Sequence, residues 1–156
     1  MLRGAMSATA AILLVGNELL SGRVQDRNLG FLTRELWQLG VSVRRASVVR
    51  DELEEVATEL RTMSAAHDFV FTTGGIGPTH DDITIAGVAR AFDVPVIESP
   101  ELADRLRAHF GATLNDAHLR MALVPAGAVL EYDASGLGWP TVRVYNVYIF
   151  PGIPEI

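Results

Sequence analysis

Thirteen residues, Thr72-Thr-Gly-Gly-Ile-Gly-Pro-Thr-His-Asp-Asp-Ile-Thr84, hold the densest set of groups able to do chemistry in this chain. Gly74, Gly75 and Gly77 can take positive φ, and without Cβ atoms they let a ligand approach the backbone closely. Their N–H groups, together with the helix start that should follow, would cradle an anion such as a phosphate without a lysine. A plain tight turn is the simpler alternative. The flanking Thr72-Thr73 pair and the Asp81-Asp82 pair count against it. Two carboxylates beside a phosphate would repel it unless a divalent cation bridges them. The blander assignment has one Asp capping the next helix and the other in water.

Two further acids fit the same picture. Asp51 stands directly after the apolar pair Val48-Val49, and Glu18 follows Ala10–Val15 in Gly16-Asn-Glu18. Asp51 with Glu54 also reads as a capping-box-like helix start. If the three apolar runs are neighbouring strands, Glu18, Asp51 and Asp82 would converge on one rim and form a metal-assisted phosphate site. Ser21-Gly22 and Asn28 could donate to ligand oxygens or ring nitrogens, although a turn and a helix cap explain them more simply. His80 could touch a phosphate but reads as a solvated loop residue. His67, His109 and His118 lack metal-ligand spacing, which argues against zinc. Gly-x-Ser-x-Gly is absent, so the nucleophile-elbow hydrolases are excluded.

The elements that must position these groups alternate along the chain. Ala10–Val15 reads as a strand buried on both faces. Arg27–Leu39 reads as a helix closed by Gly40, with Leu29, Leu32, Leu36 and Leu39 on one face. Val41 to Val49 supplies a second strand, Leu53 to Met63 a helix, and Phe69–Phe71 a third strand. A helix is expected from about Thr84, then a strand at Val94–Ile97 that Pro95 would place at an edge. Ser99-Pro100 starts a helix ending at Gly111. Asp116–Leu123 reads as helical, Ala128–Tyr132 as a strand, and Thr141–Val144 with Val147–Phe150 as a hairpin. Arg44-Arg45 reads as a solvated face and Trp37 as core or interface packing. The pattern predicts an α/β fold of three layers, α/β/α, whose sheet is mostly parallel with an antiparallel C-terminal hairpin or edge.

Composition narrows the chemistry further. The 156 residues are 49% hydrophobic and 21% charged, a globular balance with enough length for a core and for a single domain over 1–156. Net charge is −6, which argues against nucleic acid and anionic membrane as partners. There is no Cys, so thiolate nucleophiles and disulfides are excluded. All 13 basic residues are Arg, which excludes Schiff-base and Walker lysines. No apolar run approaches the roughly 20 residues of a membrane span, and a cytoplasmic location is the default. Pro151-Gly-Ile-Pro-Glu-Ile156 follows a strand directly and suggests that a C-terminal segment of a longer natural protein is lacking.

Several ordered motifs carry a resemblance. Gly16-Asn-Glu-Leu-Leu20 with Gly22, Asn28, Thr73-Gly-Gly-Ile-Gly-Pro-Thr79 with Asp81-Asp82-Ile-Thr84, Asn115 with Arg120, and Pro151-Gly-Ile-Pro-Glu155 resemble the molybdopterin-binding (MoCF, MoaB/MogA-like) domain superfamily. Within it the chain is most similar to the N-terminal domain of the competence/damage-inducible protein A (CinA) group. The resemblance implies that the Gly-rich loop binds the phosphate end of molybdopterin or a similar phosphorylated pterin or nucleotide. It implies ligand-binding roles for Glu18, Asn28, Thr73, Gly74, Gly75, Gly77, Pro78, Thr79, Asp81 and Thr84, and catalytic or metal-holding roles for Asp51 and Asp82. It also implies a homo-oligomer, dimer or trimer. The chain departs from the pattern at Asn17, where Thr or Asp is usual, at His80, where Lys is common, and at Gly136-Leu-Gly-Trp-Pro140, where Pro-Gly-Phe is usual.

Three functions are therefore expected candidates. One is a pterin-binding domain related to molybdenum cofactor biosynthesis, either a binder or a molybdopterin-processing transferase. Another is a pyrophosphatase that uses a divalent metal (Mg or Co) to cleave diphosphates of the ADP-ribose type. The last is a non-catalytic regulatory domain with a vestigial cradle.

Overall fold

The structure is a computed structural model that describes residues 8–77, 82–136 and 138–150. Its centre is β1 (Thr9–Val15), in which Ala10 to Val15 are each at most 1% exposed. An unbroken apolar run can be buried this way only if both faces of the strand are covered. β1 pairs in parallel with β2 (Ser42–Val49) on one side and β3 (Phe69–Thr73) on the other. Beyond β3 come β8 (Val147–Phe150), β7 (Thr141–Val144) and β6 (Val129–Glu131), giving the order β2-β1-β3-β8-β7-β6. The β3–β8 pair is parallel, and β8–β7 and β7–β6 are antiparallel. The sheet is thus mostly parallel with the antiparallel edge expected from the sequence.

Alternation along β1 sorts the core into two halves. Ala10, Ile12 and Leu14 meet Leu29, Leu32 and Leu36 of α2 (Asn28–Gln38). Ala11, Leu13 and Val15 meet the opposite cluster. It is built from α3 (Leu53–Ala66), α4 (Thr84–Ala91) and α5 (Pro100–Phe110) through Val56, Leu60, Val88, Leu102 and Leu106. The handedness of parallel crossovers explains the sorting. The chain leaves β1 through α2 to reach β2, then returns through α3 across β1 to β3. Those steps run in opposite directions, so the two helices lie on opposite faces. Each fully buried Leu or Ile in these clusters contributes about 1.5–3 kcal/mol.

Local signals held at most boundaries. Gly40 takes φ 75 beyond α2. The Ser99 hydroxyl accepts from Leu102 N at 3.3 Å, with Pro100 in the first turn. Asn115 caps α6 (Asp116–Arg120) by accepting from His118 N at 2.9 Å.

Other expectations need correction. The strand near Pro95 is β4 (Val96–Glu98), which lies outside the main sheet and pairs antiparallel with β5 (Leu123–Pro125). The helix expected over Asp116–Leu123 ends at Arg120, because Leu123 joins that pairing. Trp37 is 77% exposed and so is not core. Arg44 and Arg45 are both exposed, as expected of a solvated face, and Arg45 additionally pairs with Glu59 at 2.7 Å. Four residues after β1, Asn17–Leu20, form a short α1 with no apolar periodicity to reveal it. No described helix is long and apolar enough to cross a membrane.

Candidate functional site

The strand order places a switch point between β1 and β3, because the chain departs from them toward opposite faces. In open α/β sheets the crevice at such a point, beyond the strand carboxyl ends, is the usual ligand site. A cleft of about 440 Å³ opens there, lined by Val15, Glu18, Thr73 and Gly74 from the strand ends and by the segment Arg23–Asn28 before and into α2.

The Gly-rich turn closes the floor of the site. Gly74 takes φ 89 and Gly75 φ 63. A Cβ on Gly74 would run into the Val15 carbonyl, and one on Gly75 into the Thr84 hydroxyl. Glycine is therefore required at both positions for backbone and space together. Thr84, fully buried at the start of α4, holds the turn from below. Its hydroxyl donates to the Gly74 carbonyl at 2.8 Å and its N–H to the Gly75 carbonyl at 3.0 Å. That N–H is consequently spent inside the turn, so the expectation that the whole helix terminus faces an anion is narrowed by one donor.

Asn28 binds the opposite wall to the sheet. It is not the helix cap that its position suggested. Asp26 plays that part, accepting from Asn28 N at 3.2 Å and Leu29 N at 2.8 Å. Freed from capping, the Asn28 amide donates to the Thr73 hydroxyl at 2.7 Å. The link joins α2 to the end of β3 across 45 residues of sequence. Asp26 could have been found from sequence, since Asp two residues before a helix-period run is a common N-terminal signal.

The acids are placed individually. Asp51 does not cap α3, whose N-cap residue is Glu52 with no side-chain bond. Its carboxylate accepts from Asn17 N at 2.8 Å and so joins the loop after β2 to the start of α1. Glu18 folds over Gly16, where a Cβ would lie within 2.9 Å of its Oε2, and it lines the cleft. Asp82 is half-buried against the turn, and a Cβ on Gly77 would stand 2.7 Å from its Oδ2. At the α4 N-cap is Ile83, without a side-chain bond.

All three acids lie at the strand-end side, yet they do not gather at one point. Among the described residues no three carboxylates or imidazoles form a metal-holding group. A Mg²⁺ ion would have at most two of these carboxylates, with water and phosphate oxygens completing its shell, which is the donor set Mg²⁺ favours. Ser21-Gly22 forms the turn after α1, with Gly22 at φ 72. Pro78, Thr79, His80 and Asp81 lie outside the described residues.

These features define an α/β domain with a glycine-rich turn at the switch point of a mostly parallel sheet. The chain belongs to the family described as "Probable molybdopterin binding domain", which matches residues 11–155. The crystal structure of the protein CinA, of unknown function, from Thermoplasma acidophilum is 30% identical and superposes with a TM-score of 0.85. The match covers 97% of this chain and 92% of that one. The tungsten cofactor synthesizing protein MoaB from Pyrococcus furiosus shares the fold at a TM-score of 0.57 and 23% identity, over 96% of this chain and 85% of that one. A CinA-like protein of Cyanothece sp. is 36% identical over 96% of this chain and 38% of its own length. A "Probable FAD synthase" of Caenorhabditis elegans is 32% identical over 94% of this chain. The chain spans about a third of the length of that synthase, 32%. It is a CinA-like member of the molybdopterin-binding domain family.

Proposed function

We propose that this domain binds the phosphate end of a phosphorylated pterin or nucleotide in the β1/β3 cleft, in a role related to molybdenum cofactor biosynthesis. The observation that carries the proposal is the turn itself. Gly74 and Gly75 sit where no side chain fits, and Thr84 holds their carbonyls from below. Carbonyls bound inward leave the amide side of the turn available to an anion. Asn28 and Thr73 form an adjacent polar wall suited to a ring-bearing ligand. A homo-oligomer of two or three copies and a cytoplasmic location accompany this proposal.

Titrating the purified chain with a pterin monophosphate and with AMP, followed by thermal unfolding, tests it. A specific ligand at about 100 times its Kd should add roughly 2.7 kcal/mol to the unfolding free energy. No response to either would favour the regulatory domain with a vestigial cradle.

A second function is favoured by one contact, the Asp82 carboxylate packed against Gly77. With a divalent metal held by Asp82, and by Asp51 where geometry allows, the site would serve a diphosphate hydrolase. The metal, Mg or Co, would polarise the phosphoanhydride and acidify a water. Incubation with ADP-ribose and Mg²⁺ or Co²⁺ would then release AMP and ribose 5-phosphate, and Asp82→Asn would abolish the release. Absence of AMP from a folded sample would remove this activity for that substrate.

A further inference from the structure

The wall of the cleft opposite the Gly-rich turn contains two arginines with no partner. Among the described residues, Arg23 and Arg27 are the only cationic side chains that line the cleft. Most described arginines are engaged. Arg45, Arg50, Arg90 and Arg143 each reach a glutamate within 3.0 Å. Arg61 and Arg105 donate to carbonyls. Among the described residues, the side chains of Arg23 and Arg27 make no hydrogen bond or ion pair.

The backbone holds both in place all the same. The Glu18 carbonyl accepts from Arg23 N at 3.0 Å and Val24 N at 3.3 Å, which pins the loop to α1. Arg27 is set by the start of α2, where its carbonyl accepts from Phe31 N at 3.3 Å. The neighbouring carboxylate is used elsewhere, because both oxygens of Asp26 cap α2. The nearby acid is thus engaged by the helix, and two arginines without side-chain partners line the cleft, in a chain of net charge −6 that lacks lysine.

We infer that Arg23 and Arg27 form a second anion subsite of the cleft, which takes a second phosphate group of the ligand. The inference rests on the phosphorylated-ligand function proposed above and adds to it a preference among ligands. The turn holds one phosphate through backbone amides. A planar guanidinium matches two phosphate oxygens with parallel donors, and two of them balance the charge of a further phosphate. Glu18 and Asp26 line the same cleft, and the two arginines offset their charge toward a phosphate.

Calorimetric titration with AMP, ADP and adenosine 3′,5′-bisphosphate, all with Mg²⁺ present, tests this. At least one two-phosphate ligand should bind about ten-fold or more tightly than AMP. Whichever does so shows whether the second phosphate adjoins the first or stands across the ligand. The exposed double substitution Arg23→Gln with Arg27→Gln should erase that preference, weakening the two-phosphate ligand about ten-fold more than AMP. Restoring charge with Lys at both positions should recover part of it, because lysine supplies charge without the fork. Equal affinities of the wild type for all three ligands, or a preference that survives the double substitution, overturns the arginine subsite and leaves the phosphate cradle standing. Failure of the wild type to bind any of the three overturns both.

Discussion

Gly74 and Gly77 are both glycines of one turn, yet the residues they touch predict different consequences of substitution. Gly74 faces a backbone carbonyl and has φ 89, so a side chain there meets strain and a neighbour that cannot rotate away. Gly77 faces the end of the Asp82 side chain, which can move. Gly74→Ala should therefore destabilise the fold by about 1–3 kcal/mol or more, seen as a lowered midpoint in denaturant unfolding. Gly77→Ala should leave the midpoint within about 1 kcal/mol but shift the Asp82 carboxylate and weaken phosphate binding. Equal losses of stability in both variants would show that the Asp82 side chain is as immovable as the backbone.

Within elements, the small polar residues do their work by local bonding. Asp26 satisfies two of the free N–H groups at the start of α2, and its place there releases Asn28 to reach Thr73. Asp26→Ala should cost about 1 kcal/mol of stability, the usual worth of an N-terminal cap. It should also let the Asn28–Thr73 bond loosen, which amide exchange in the first turn of α2 would report as faster exchange than at its last turn. Unchanged exchange there would mean that the cap and the cleft wall are independent. At the other end of the sheet, Asn146 shows how a turn can be held from outside. It accepts from the Ser64 hydroxyl at 2.6 Å and donates to the Ser64 and His67 carbonyls, which fastens the β7–β8 hairpin to the end of α3.

Across the whole molecule, the start of β1 is tied to the start of β3 by one carboxylate. Asp68 accepts from Thr9 N at 2.7 Å and from the Thr9 hydroxyl at 2.8 Å. The backbone bond from Thr9, followed by the hydroxyl bond, holds the Asp68 carboxyl below its usual range. Its unfolded value lies near 4. A carboxyl depressed in the folded state adds stability above the unfolded value, and that contribution fades as pH falls through the lower folded value. Unfolding followed between about pH 5 and pH 2 should thus lose part of its acid slope in Asp68→Asn. The group is exposed, so the difference should shrink as salt is added. An unaltered slope in the variant would assign acid sensitivity elsewhere, with Asp133 the next group to test, since the Ser135 hydroxyl and the Gly136 and Ser135 amides hold it low as well.

The sequence by itself determined the layers and the position of the turn. Runs such as Ala10–Val15 have one solution, burial on both faces, and Leu29, Leu32 and Leu36 recur at a period that only a helix aligns. A Gly-Gly-x-Gly stretch between such elements marks close backbone approach. These are properties of neighbours along the chain, so they are legible without a fold. Tertiary structure decided everything that depends on which distant groups meet. β4 left the main sheet because β5 offered it an antiparallel partner. Asp51 became a link to Asn17 instead of a cap, because β2 ends beside β1. Asn28 reached Thr73 because packing sets the start of α2 beside the end of β3. A capping preference amounts to about 1 kcal/mol. Whether a polar side chain serves its own helix or a neighbouring strand is settled by which partner the packed core brings within reach.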